Sequence, residues 1–156
     1  MIQRRTLSLI DSVNPAVVQL LHTTVIHWLA SPGLATISLK GRRTGNSFRF
    51  PVGYHDQKDA IVVLVSDARN RQWWRNFRTP WKAVLHVRGH SRAMIGEVLD
   101  PQSHEFANRV GTFFKRAAFI PRMFGVEFDP VLGLGPDQKE TLGENSAVVR
   151  FRMESA

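Results

Sequence analysis

The chain of 156 residues carries 21 Lys and Arg against 13 Asp and Glu, a formal charge of +8, and no cysteine. That length suits one domain with one core, and the missing cysteines exclude disulfides, thiolate nucleophiles and cysteine-held metals. The positive charge favours anionic partners such as phosphates, polyglutamates, nucleic acid or acidic lipid headgroups.

Near the start, Arg4-Arg5 ahead of an apolar region ending at Ala30-Ser31 superficially resembles an export signal. Asp11, Asn14 and Pro15 interrupt the approach, and His22, Thr23, Thr24 and His27 dot the apolar run, which falls short of the ~20 residues that span a bilayer. A helix over about 14–30 explains the segment better. Asn14 is a good N-cap, Pro15 suits the first helical position, and Val17, Leu20, Leu21, Val25, Trp28 and Leu29 fall on one stripe. Such a helix either packs over the core or, assisted by Arg4 and Arg5, lies on a membrane surface. The localisation read from this is cytoplasmic, with a membrane-peripheral alternative.

From Leu34 the apolar period becomes that of strands, predicted at Leu34 to Lys40, Ser47 to His55, Ala60 to Ser66, Ala83 to Arg88, Arg92 to Leu99 and Ala147 to Met153. Turn signals at Gly45-Asn46, Asp56 to Asp59 and Gly89-His90 make neighbours antiparallel. A short helix is predicted over Arg71 to Arg78. A longer one begins at Asp100-Pro101, carries Phe106, Val110, Phe113, Phe114 and Ala117 on one face, and breaks at Pro121. The whole is a single mainly β domain with helices (α+β), a small antiparallel barrel that is closed or split. Gly133-Leu134-Gly135 lacks the third glycine of a dinucleotide fingerprint, and Gly41 to Gly45 lacks the Lys-Ser/Thr ending of a P-loop.

Gly41-Arg42-Arg43-Thr44-Gly45 is a tight basic turn where backbone can approach a ligand and guanidiniums can grip phosphate or carboxylate. Together with Pro51-Val52, Ser66, Trp73-Trp74-Arg75-Asn76-Phe77 and the final strand, it resembles the deazaflavin-dependent nitroreductase family, over roughly residues 35–152. The resemblance implies a split β-barrel related to flavin-binding, pyridoxamine-phosphate-oxidase-like proteins. It also implies the reduced deazaflavin coenzyme F420 as hydride donor to a small electron acceptor such as a quinone or nitro compound.

By the same resemblance Arg42 and Arg43 suit the coenzyme's oligoglutamate tail and Thr44 adds a hydroxyl bond. Phe50, Pro51 and Val52 pass beside the ring, and Ser66, Arg69 and Arg71 line the phosphate at the start of the short helix. Trp73 and Trp74, about 100 degrees apart on a helix, divide between core and site, and Asn76 braces the loop. Where many relatives place arginine, this chain has Phe48. The nearest arginine is Arg49, which strand alternation turns to the other face unless a bulge intervenes, so flavin mononucleotide (FMN) stays open as the alternative cofactor.

Catalysis would rest mainly on the cofactor, with Tyr54 and His55 as candidate proton donors or, more simply, a strand pair with one side chain buried and one exposed. The segment with Phe119, Met123, Phe124 and Phe128 is read by analogy as a roof over the acceptor pocket. His104-Glu105 lacks the second histidine of a zinc-protease helix, since Asn108 stands there, and no metal site is expected. Nucleic-acid binding through Arg71 to Arg78 is disfavoured because the aromatics cluster on one short segment rather than across exposed strands. A noncatalytic cofactor- or lipid-binding barrel remains the second reading, and monomer and homodimer are both open.

Overall fold

Alternation of apolar and polar side chains from Ala35 to Lys40 buries Ala35, Ile37 and Leu39 on one side, and the same period recurs in Trp81–Val87. In the computed structural model, which describes residues 34–116 and 118–154, seven strands form one antiparallel sheet. These are β1 (Leu34–Lys40), β2 (Ser47–Gly53), β3 (His55–Asp56), β4 (Ile61–Ser66), β5 (Trp81–Val87), β6 (His90–Val98) and β7 (Ser146–Met153). Their order, β2-β1-β5-β6-β7-β4-β3, curls into a split half-barrel. The predicted helix at 14–30 lies outside the described residues, as does Ala117.

The inner face gathers Ile37, Leu85, Phe77, Val149 and Phe151, all buried. β4 and β7 are buried on both faces, because Val62 and Val148 turn outward into a second core with Phe106, Val110, Phe114 and Leu142 of the helices. Those helices are α1 (His104–Phe114), α2 (Phe119–Met123) and α3 (Pro136–Asn145). α1 starts where Ser103 Oγ accepts the Phe106 N–H at 3.1 Å, so Asp100-Pro101 forms the turn before the helix rather than its first residues.

Several boundaries differ from the sequence reading. The second strand stops at Gly53, and after Tyr54 the chain changes partner, so that His55–Asp56 pairs with β4 instead of β1. Residues 71–78 are not one helix: Arg71 is extended and separates two 3-10 turns, Ala68–Asn70 and Trp73–Arg78. The hairpin turn after β5 is Arg88-Gly89, both with positive φ, and His90 already belongs to β6. Pro121 sits inside the short α2, where a first-turn residue needs no N–H partner. α3 has no apolar stripe to announce it in the sequence, since Leu142 is its one buried residue.

Candidate functional site

The basic turn between β1 and β2 closes through Gly45 N–H to the Gly41 carbonyl at 2.9 Å and Gly41 N–H to the Asn46 carbonyl at 2.8 Å. A Cβ on Gly41 would lie 2.8 Å from the Phe48 ring, so glycine is what lets that ring cover the turn. Thr44 Oγ1 accepts the Asn46 N–H at 3.2 Å. Arg42 is a structural tie: its guanidinium donates to the Thr79 and Pro80 carbonyls at 3.3 and 3.1 Å and stacks 4.4 Å over the Trp81 ring. Its backbone N–H donates to Asn76 Oδ1 at 2.8 Å. Arg43 stands exposed and, among the described residues, makes no hydrogen bond or ion pair.

The connection from β4 to β5 is built by side chains folding back on it. Arg71 Nε donates to the Ser66 carbonyl at 2.8 Å, and burial lowers the guanidinium's pKa against the opposing pull of Asp67. Trp74 Nε1 donates to the Ala68 carbonyl at 2.8 Å, with Arg75 and Arg78 held 5.8 and 5.3 Å from its ring centre. Arg69 Nε reaches the Glu144 carbonyl of α3 at 3.2 Å. Asn76 Nδ2 donates to the Trp73 carbonyl at 2.9 Å. The Trp73 ring packs 5.1 Å from Phe50 and 6.1 Å from Phe77, yet its Nε1 is buried without a hydrogen-bond partner, as is Arg75 Nε.

These contacts bring Arg42, Phe50, Ser66, Arg69, Arg71, Trp73, Trp74 and Asn76 to one end of the half-barrel, with Arg43 and Thr44 in the adjoining turn. Val52 lies deeper, in the buried wall. Arg49 and Pro51 are not on that side. The register of β2 against β1 runs unbroken, pairing Arg49 with Ser38 and Pro51 with Thr36, so both face outward while Phe48, Phe50 and Val52 share the inner face.

Trp73 is the tryptophan at the core, and Trp74 carries the guanidiniums. Across the turn 41–46 and the connection 66–80 stand Arg42, Arg43, Arg69, Arg71, Arg75 and Arg78 against a single acid, Asp67, which makes this end electropositive. Trp81 and the Thr79 and Pro80 carbonyls, which hold Arg42, carried no sequence signal.

Tyr54 and His55 are both buried, contrary to the expected buried and exposed pair, because α1 covers the outer side of β3. Tyr54 joins the inner core with its hydroxyl unpartnered. His55 Nδ1 accepts from Gln57 Nε2 at 2.9 Å, its ring lies 5.4 Å from Phe113, and burial, helped by Arg116 and opposed by Asp56, lowers its pKa to about 4. The aromatic segment after α1 fills the second core, with Phe124 and Phe128 at 5.9 and 5.5 Å from Phe114, rather than roofing a pocket. Among the described residues no group of three or more His, Cys, Asp or Glu could hold a metal, and no helix is long and apolar enough to cross a membrane.

No family model and no curated protein matches this sequence. Among solved structures, the fold is similar to the heme storage protein HutZ from Vibrio cholerae, with a TM-score of 0.53 over 88% of this chain and 92% of that one at 8% identity. A FAD and heme binding protein from Mycobacterium smegmatis aligns at a TM-score of 0.45 and 17% identity, over 85% of this chain and 70% of that chain. A protein described as F420 reductase aligns at 0.41 and 12%, over 81% and 90%. At 8% identity the likeness to HutZ carries the architecture alone, and on strand order and curvature the chain is a split antiparallel β-barrel.

Proposed function

We propose that this chain is a reductase that holds a flat, anionic redox coenzyme against the Phe50–Trp73 rim, deazaflavin F420 in the first instance and FMN as the alternative, and delivers hydride to a small acceptor such as a quinone or nitro compound. The observation that carries the reading is the orphaned indole N–H of Trp73, held against Phe50 at an arginine-rich end of the barrel. A buried donor without a partner costs stability, and a polar atom of a bound ring relieves that cost.

The residues fit such a group: Phe50 and Trp73 offer aromatic surface, Arg43 offers an uncommitted guanidinium, and Arg69, Arg71, Arg75 and Arg78 set the potential around it. When bound, a reduced deazaflavin or flavin supplies the hydride. Arg42 and Asn76 keep the basic turn docked on the rim, and the electropositive end favours negative charge developing on an acceptor. Tyr54 and His55, both enclosed, serve packing rather than proton delivery in this reading.

Equilibrium titration with F420 and with FMN, followed by ring and tryptophan fluorescence, tests it. Saturable F420 binding that weakens about tenfold on Arg43→Ala, with unfolding unchanged, supports the proposal. Tighter FMN binding moves the assignment to that cofactor, and binding of neither overturns it.

A further inference from the structure

The outer face of β2-β1-β5-β6 is not covered by α1, α2 or α3, which pack on β4 and β7. It is hollowed into a groove of about 870 Å³, within the range of small-ligand sites. One cross-strand row, Arg49–Ser38–Val84–Ala93, crosses its floor, and the next carries the pairs Ser47–Lys40 and Lys82–Ile95. Val84, Ala93 and Ile95 form the apolar part of that floor, with Val84 42% exposed. Its charged margin is Lys40, Arg49 and Lys82 against one acid, Glu154, which Lys82 meets at 2.8 Å. Like charges gathered on one sheet face work against folding, so the excess of cations beside an apolar floor points to a ligand of opposite sign.

We propose that this groove binds an amphipathic anion, a long-chain carboxylate whose chain lies over Val84, Ala93 and Ile95 and whose head meets Lys40, Arg49 and Lys82. Val84, Ala93, Ile95 and Arg49 lie on the opposite side of the sheet from Phe50 and Trp73, while Phe48, Pro80 and Trp81 at the end of the groove border the Arg42 tie, so the test uses positions outside the coenzyme rim. Flanking cations add a few-fold each to the affinity for the head, and the apolar floor supplies the rest.

The test is titration of the full chain with dansylaminoundecanoate, displaced by laurate or by uncharged dodecanol, for the wild type, Lys40→Ala plus Lys82→Ala, and Val84→Glu. Thermal unfolding of each variant verifies that it is folded. The expected result is saturable binding in which laurate competes about tenfold better than dodecanol, an advantage lost in the double lysine variant. Val84→Glu should abolish binding of both. Equal competition by laurate and dodecanol, or unchanged binding in Val84→Glu, overturns the proposal. So does absence of saturable binding, whether the groove is closed by a second copy, which sedimentation of the same sample would show, or by another part of the chain.

Discussion

The backbone N–H of Arg42 donates to Asn76 Oδ1 at 2.8 Å, joining two motifs that lie 34 residues apart in the chain. The same Asn76 donates its Nδ2 to the Trp73 carbonyl, so one amide side chain fixes the basic turn to the segment that presents the indole. Asn76→Ala loses both bonds and should cost about 1–2 kcal/mol in urea unfolding, while Asn76→Asp, which keeps the acceptor, should lose roughly half of that.

Trp73→Phe keeps the aromatic contact with Phe50 and removes an N–H that has no partner. Stability should therefore hold or rise, by up to about 1 kcal/mol, while coenzyme affinity falls several-fold. Parallel melts and titrations separate the two effects, and a drop in stability matching the drop in affinity would reduce Trp73 to packing.

His55 is neutral in the folded protein down to a pKa of about 4, chiefly because it is buried, whereas an unfolded histidine titrates near ~6.5. Between those values the unfolded state binds the extra proton, so stability is full above pH ~6.5 and falls as pH drops toward ~4, by on the order of 3 kcal/mol. Asp59, held low mainly by the hydrogen bond from Arg109, loses its contribution only at more acid pH. Urea midpoints at pH 6.5 and 5 should differ in the wild type and converge in His55→Gln.

Gly96 of β6 lies where Phe77 and Phe151 meet, and a Cβ there would come within 2.5 Å of one ring and 2.6 Å of the other. Gly96→Ala should destabilise by about 1–3 kcal/mol, because both rings are fully buried and must shift against packed neighbours to make room. Retention of the wild-type denaturation midpoint would mean that the two rings can part.

The barrel was legible because β1 and β5 alternate cleanly: Ile37 and Leu85 are buried where the two-residue period puts them. Where the period is broken, reading failed. Tyr54 marks a change of partner strand that leaves the polarity pattern intact, and α3 is polar nearly throughout, although Gly135 followed by Pro136 is a helix-start signal. The outward turn of Arg49 followed from alternation, with no bulge to reverse it. The tie from Arg42 to Thr79 and Pro80 could not be read, because backbone carbonyls are present at every position and only the fold decides which are within reach.

β7 sits between β6 and β4, so the last of the seven described strands in chain order is the one that joins the two halves of the sheet. Until residues 146–153 emerge, a growing chain has β2-β1-β5-β6 as one patch and β4 with β3 as another, each with a bare hydrogen-bonding edge. The interval before β7 docks is when a second copy or a chaperone could add a strand of its own, which makes the unfinished sheet, rather than the folded one, the vulnerable form.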